Sequence, residues 1–432
     1  MRRASPHRPI GGRVTAPVVA TLAHAVALGA VLVGNGFLTL ALVLAGPPRA
    51  PRALAAVDGD APPDLAVVRP LHGPDASGGR NNAALLGQRY GGATGFVFVA
   101  SQAHDPGLVA AREAHGADPR VSFLVSESRL DTTDKAAGMI AAWRATTAPF
   151  IAFCDADMCL GPDDLAACMA LFDEPDVAGV FAPALHLPST VTQRLLAMIA
   201  SGDKLITVRA LERVGCLRLM EGGLMVVRRA ALEATGSIDV LRGTVADDLR
   251  LATVLAAAGF RLRAGPAILH AQAACGFAGL ARQYHRWMRC QRVESPGLLG
   301  LQLALHAVVV PLIAWLLDPT SRRAALLVVA SLVWRLGLTA VVERSQLRPH
   351  GLRLGGWILL RPVADLLHFA ACAAAFAVPS VRWGGRTYRF DRRAAPRPRT
   401  KTPPRWAVAR RRAAVGPAIP ASEFERAPEV QP

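Results

Sequence analysis

Residues 150–165, FIAFCDADMCLGPDDL, run a short apolar stretch straight into two aspartates one residue apart. In an extended chain, side chains two apart point to the same side, so Asp155 and Asp157 would repel each other unless a cation lies between them. That is the chemistry of a divalent-metal site. The spacing does not decide alone, because Asp58-Gly59-Asp60 repeats it in a Pro/Ala-rich stretch with no other chemical feature. Further along, TVADDLRLATVLAAAGFRLR sets Asp247 and Asp248 at the head of an amphipathic helix, where carboxylates also complement the helix N-terminus. In ARQYHRWMRCQR a helix would carry Gln283, Arg286 and Trp287 on one face and Arg282, Arg286 and Arg289 on a neighbouring one. Such a helix either rests on lipid headgroups or closes over an anionic, sugar-bearing ligand. Gly222 and Gly223, just before a strand-like run LMVVR at 224–228, allow a ligand or another backbone to approach closely.

These groups need a scaffold, and the hydrophobic pattern supplies one. Apolar runs at 65–68, 95–99, 121–125 and 150–154 read as strands, and the stretches 106–116, 134–146 and 162–172, each following one of them, read as helices, with Pro106 suited to a first turn. The expected fold is α/β, a doubly wound, mainly parallel sheet. In such sheets ligands bind beyond the carboxyl ends of the strands, where Asp105 and the Asp155/Asp157 pair fall.

With 52% hydrophobic and 19% charged residues and a mean hydropathy of +0.30, the chain is too apolar for an ordinary soluble protein. Val18–Ala45 is long enough to cross a bilayer and too long for the apolar part of a signal peptide. Three further spans are expected at Gly297–Leu317, Ala324–Val342 and Gly356–Val378; the last contains Arg361 and Asp365, which can pair along one helix face. The expected layout is a basic N-terminal tail (1–17), a transmembrane segment (18–45), a linker (46–63), a catalytic domain (64–290), a membrane domain of about three helices (291–380) and a basic disordered tail (381–432). Seven scattered cysteines, with no CxxC pair, fit reduced thiols better than a disulfide framework. The net charge of +17 concentrates in the tail, where Arg382–Arg412 carries eleven arginines and Lys401 against one aspartate. Trp406 stands there without a stacking pattern, so anionic lipid headgroups suit that tail better than nucleic acid.

Taken in order, the motifs resemble the membrane glycosyltransferases of family 2 and, more closely, their ceramide glucosyltransferase branch, which includes hopanoid-associated glycosyltransferases. The matching residues are Asp105 in AHDPGLVAAREA, Asp155/Asp157 in CDADM, Asp248 in ADDLRL, and Gln283, Arg286 and Trp287 in QYHRW; RPLHGPD (69–75) and WGGRTYRF (383–390) also match. Two departures stand out: Thr133-Asp134-Lys135 replaces a frequent Asn-Pro-Lys, and Asp105 lies in His104-Asp105-Pro106 rather than in a longer acidic cluster. The resemblance implies a GT-A-like catalytic domain flanked by transmembrane helices. It implies inverting transfer from a nucleotide sugar, a UDP-sugar, to a lipid hydroxyl of a ceramide-like or hopanoid-like acceptor. Mg²⁺ or Mn²⁺ would sit on Asp155 and Asp157, the nucleotide on Asp105, Lys135 and Asp155, and the general base would be Asp248, with Gln283, Arg286 and Trp287 completing the catalytic set. It further implies a multi-pass protein of a bacterial-type cytoplasmic membrane with its catalytic domain in the cytoplasm. The alternatives are a processive polysaccharide synthase of cellulose-synthase type and a non-catalytic membrane adaptor that binds lipid through its basic tail.

Overall fold

The first apolar run folds as one continuous helix: α1 (Ala16–Ala30), a π turn at Val31–Asn35, and α2 (Gly36–Ala45). It belongs to a computed structural model that describes residues 16–48, 62–75, 77–127, 131–270, 275–383, 386–391 and 394–398. The next four apolar runs form parallel strands β1 (Leu65–Pro70), β2 (Thr94–Ala100), β3 (Val121–Val125) and β4 (Phe150–Cys154). They are apolar on both faces because helices cover both faces. Val68, Val97, Ile151 and Phe153 face one core with Met139 and Trp143, while Val67, Phe98, Ala152 and Cys154 face the other with Leu108 and Leu165. The covering helices α3 (Gly78–Leu86), α4 (Pro106–His115), α5 (Asp134–Ala145) and α6 (Asp164–Met169) connect these strands or follow β4.

Beyond β4 the sheet departs from a simple parallel pattern. A small sheet of β5 (Met158–Cys159), β7 (Ala184–His186) and β10 (Ile268–His270) stands beside the carboxyl end of β4, while β6 (Val177–Ala182), β8 (Leu224–Arg228) and β9 (Arg261–Ala264) extend the main sheet. The strand order is β3-β2-β1-β4-β8-β6-β9, and β8 runs antiparallel to both β4 and β6. Strand β6, VAGVFA, is buried throughout and so shows no alternation that would separate strand from helix in the sequence. The connecting helices are α7 (Val191–Leu196), α8 (Lys204–Arg213), α9 (Arg229–Glu233) and α10 (Asp247–Ala257).

The membrane end begins with α11 (Phe277–Glu294) and continues through α12 (Pro296–Ala304), α13 (Val309–Leu317), α14 (Arg322–Val342) and α15 (Arg361–Ala377). Among the described residues three helices are long and apolar enough to cross a membrane, or four if α12 and α13 make one span. The chain is a membrane protein. The expected single span Gly297–Leu317 is instead broken, α12 and α13 meeting at 50°. Backbone groups freed at a break inside a membrane need partners. Ser331 donates to Ala307 O at 2.5 Å, Asn35 donates to Ser331 Oγ at 3.2 Å, and Gly34 lets Leu305 O approach so closely that a Cβ there would lie 2.6 Å from it. The π turn of the first helix and the break of the second therefore meet.

Arg361 and Asp365 pair as expected, with Nη2 2.8 Å from Oδ1, but they are half of a larger cluster. Arg335 of α14 reaches Asp365 Oδ1 at 2.8 Å and Asp203 Oδ2 at 2.9 Å, and Arg361 also pairs with Asp203, which lies between α7 and α8. Two cations and two anions thus join the soluble domain to α14 and α15. Part of the expected disordered tail is ordered: Ser380–Trp383, Arg386–Asp391 and Ala394–Pro398 pair as an antiparallel sheet, and Tyr388 within it is buried. The β-forming residues among these arginines, Val381, Thr387 and Tyr388, favour strand despite the charge. The rest of that tail, with Trp406, the N-terminal residues 1–15 and the Asp58/Asp60 pair, lies outside the described residues.

Candidate active site

Four carboxylates gather where β4 ends. The chain does not stay extended there: after Cys154 it turns, Met158 N donating to Asp155 O, so Asp155 and Asp157 face different partners rather than each other. Lys135, in the first turn of α5, lies 2.8 Å from Asp155 Oδ1 and 2.9 Å from Asp247 Oδ2. Thr133 places it by capping α5, its hydroxyl accepting from Ala136 N at 3.0 Å. Desolvation opposes the lysine's charge, but Asp155 and Asp247 outweigh it and raise its pKa above the ordinary value. Asp248 stands beside them, accepting from Leu249 N at 2.8 Å and from Gly222 N at 3.0 Å. Desolvation and the Asp247 charge push the Asp248 carboxyl up to about 6, against the pull of Lys135. The glycine pair serves this packing. A Cβ on Gly222 would lie 3.2 Å from Lys135 Nζ and one on Gly223 2.7 Å from Met158 Sδ.

Asp157 has a different partner, His270 at the end of β10, whose Nε2 lies 2.8 Å from Asp157 Oδ2. Pairing of His270 with Met158 across β5 and β10 fixes that contact. Desolvation works against the Asp157 charge, but the His270 hydrogen bond holds its carboxyl below the ordinary range. The other face of His270 meets His186 at 3.0 Å between Nδ1 atoms, and the His186 ring lies 5.8 Å from that of Trp287. Trp287 is also flanked by Tyr284 at 6.0 Å and by Lys204, whose Nζ lies 5.7 Å from the ring centre. Lys204 is held by Glu221 at 2.9 Å.

Helix α11 therefore covers this region. Burial raises the pKa of the Cys290 thiol in this helix, with Asp248 and Asp247 adding to the rise and Arg286, one turn away, opposing it. Gln283 and Arg286 are both engaged in contacts of their own. Arg289 does not reach outward to headgroups: it is buried and donates to Ala375 O at 2.7 Å and Pro379 O at 3.1 Å, satisfying carbonyls at the end of α15.

Asp105 is the sequence-derived site residue that the fold sets apart. It is 1% exposed and caps α4, its carboxylate accepting from Gly107 N and Gly73 N at 2.8 Å each and from Leu108 N at 3.3 Å. It ties the 71–75 loop to α4 rather than opening toward a ligand. Sequence reasoning missed Asp247 as Lys135's second anchor, although its adjacency to Asp248 was visible. It also missed His270 and His186, which no motif marks and only strand pairing brings together.

The Asp157 side of the site suits a hard divalent cation. Asp157 Oδ1 is buried with no hydrogen-bond partner, and an unfilled carboxylate oxygen beside an imidazole is the donor chemistry of Mn²⁺ or Mg²⁺. Among the described residues no three side chains form a ready-made metal cluster, so further ligands would come from outside this set.

The family model for glycosyl transferase family 21 matches residues 19–395. No curated protein matches the chain by sequence. The fold is similar to that of mannosyltransferase PcManGT from Pyrobaculum calidifontis in complex with GDP-Man and Mn²⁺, at a TM-score of 0.51 and 17% identity over 82% of this chain and 97% of that one. A crystal structure of a mycobacterial protein also aligns, at a TM-score of 0.37 and 17% identity over 54% of this chain and 74% of that one. With acids gathered at the carboxyl edge of the sheet and the family matched along most of its length, the chain belongs to glycosyltransferase family 21 and is a membrane glycosyltransferase.

Proposed function

We propose that the enzyme transfers a sugar, with inversion, from a UDP-sugar to the hydroxyl of a membrane lipid of ceramide-like or hopanoid-like type. The observation that carries this reading is the gathering of Asp155, Asp157, Asp247 and Asp248 around Lys135 at the carboxyl edge of the sheet, beneath the helix that bears Gln283, Arg286 and Trp287. Asp157, with His270, would hold Mg²⁺ or Mn²⁺, and when bound such an ion stabilises negative charge on the departing diphosphate. Lys135 pairs with Asp155 and Asp247 and holds both in place beside that diphosphate. Asp155 faces the nucleotide side, and Asp105 acts at one remove by fixing the 71–75 loop.

Inversion requires a base opposite the leaving group. Asp248 takes the acceptor's proton: its Oδ2 is aimed by Gly222 N, and a carboxyl pushed up to about 6 is a stronger base than an ordinary aspartate while still ionised at neutral pH. Arg286 supplies a guanidinium fork to diphosphate oxygens, and Trp287, packed between His186, Tyr284 and Lys204, presents a fixed indole surface to sugar or acceptor. The apolar helices beside α11 suit an acceptor that arrives from the bilayer, and the ordered tail sheet continues into basic sequence suited to anionic headgroups.

The deciding experiment incubates membranes containing the enzyme with a panel of labelled UDP- and GDP-sugars and then extracts the lipids. The expected product is a labelled glycolipid formed from a UDP-sugar. Label in a high-molecular-mass polymer would favour a processive synthase, and no consumption of any nucleotide sugar would favour a non-catalytic adaptor.

A further inference from the structure

A cation lies under the Asp155–Asp157 turn that the mechanism above does not use. Arg69 in β1 is fully buried, and among the described residues its guanidinium pairs with no carboxylate. Nη1 donates to Asn82 Oδ1 at 2.9 Å, and Nη2 meets Cys154 Sγ at 3.1 Å and Met158 O at 3.3 Å. Beside it Asn81, also fully buried, donates to Ala156 O at 2.9 Å. The clamp thus touches residues 154, 156 and 158, the neighbours that bracket both aspartates. Met158 is also the residue that pairs with His270.

This is a costly arrangement to bury. A guanidinium removed from water without a carboxylate recovers little of its desolvation penalty, and here Nε of Arg69 and Oδ1 of Asn81 are left with no partner at all. The rest of β1 is Leu, Ala, Val, Val and Pro, so an apolar side chain at 69 would suit the strand's own packing. What the arginine adds is a rigid fork under the turn and a positive charge near a crowd of carboxylates.

We propose that Arg69, with Asn81, is a positioning residue for the metal side of the donor site: the pair pins the 154–158 turn from beneath, so that Asp157 and His270 keep the geometry a divalent cation requires, and the arginine offsets repulsion among the acids. This inference rests on the reading of Asp157 as a metal ligand. Loss of a group that orients a metal ligand typically weakens metal binding about 10–100-fold.

The test measures Mn²⁺ binding to the full-length protein in detergent by electron paramagnetic resonance of the free ion, alone and with UDP, alongside thermal melting. Asn81→Ala is expected to weaken Mn²⁺ binding about tenfold or more with little change in Tm, and Arg69→Gln to weaken it by up to about 100-fold. Arg69→Lys, which keeps the charge and loses the fork, should fall between wild type and Arg69→Gln, and excess Mn²⁺ should restore kcat in all three. Wild-type Mn²⁺ affinity in Asn81→Ala, and in whichever Arg69 variants fold, would overturn the inference. Asp157→Asn separates the two failures. If it alone loses Mn²⁺, the clamp is wrong and the metal reading stands; if it too binds Mn²⁺ normally, the metal reading falls and takes the clamp with it.

Discussion

Lys135 holds carboxylates from two different elements, and its side chain is only 13% exposed. Removing one member of such a group leaves uncompensated buried charge, at a cost of about 3–5 kcal/mol. Lys135→Met should therefore lower unfolding free energy by about that amount in denaturant titration, and adding Asp247→Asn should recover part of the loss. Asp248 makes a separate prediction. A base must be ionised to accept a proton, so with its carboxyl pushed up to about 6, kcat/KM should be flat above that pH and fall about tenfold per unit below it. The stability contribution has the opposite sign: a carboxyl raised in the folded state favours folding when protonated, an advantage lost as pH rises through about 6. Stability should therefore improve slightly where activity declines. Asp248→Asn should cut transfer by about 10²–10⁴-fold while leaving donor binding intact in calorimetry; loss of donor binding would make Asp248 a ligand contact instead.

At the scale of elements, the Asp203–Arg335–Arg361–Asp365 cluster decides how the soluble domain sits on the membrane helices. The sequence offered only its i,i+4 half. Arg335→Met should cost about 3–5 kcal/mol in thermal or denaturant unfolding in detergent, whereas the double change Arg335→Met with Asp365→Leu should cost less, because an apolar replacement leaves fewer stranded charges. Packing of the first helix against the α12–α13 break makes a second prediction. The Cβ of Gly34→Ala would fall 2.6 Å from Leu305 O and 3.0 Å from Ala307 Cβ, so about 1–3 kcal/mol should be lost to overpacking.

At the scale of the molecule, α15 bears on a conflict that charge patterning leaves open. A catalytic domain in the cytoplasm, followed by three full crossings, would export the basic tail, against the preference of positive segments for the cytoplasm. Yet α15 is tied to the soluble domain at one end, where Arg361 donates to Met198 O at 2.9 Å, and to α11 at the other, where Arg289 and Arg292 donate to Ala375 O. Meanwhile α1 is joined to the start of α14 through His24 and Ser321 at 2.7 Å, and α2 packs on α8, so the α13–α14 connection lies at the opposite end from the domain. If α15 entered the membrane without crossing it, basic sequence after it would stay on the catalytic side, in line with that preference. A cysteine at Thr320 should then react with an impermeant probe added to intact cells, and one at Ala413 should not; labelling at Ala413 would show a full final crossing.

Local hydrophobic period and residue type are enough to give the parallel half of the sheet, the helices that follow its strands, the membrane character and the aspartates at a strand end. The sequence also carried the ordered set of motifs that points to the family. Tertiary structure alone decided that Asp155 and Asp157 turn to different partners, that Asp247 shares Lys135, that His270 and His186 join the site, and that Asp105 is a buried cap. Those outcomes depend on strand pairing and helix packing between residues far apart in the chain, as when β10 sets His270 against Met158 more than a hundred positions away. No local pattern encodes such a contact, because the free energy that fixes it comes from the sheet as a whole.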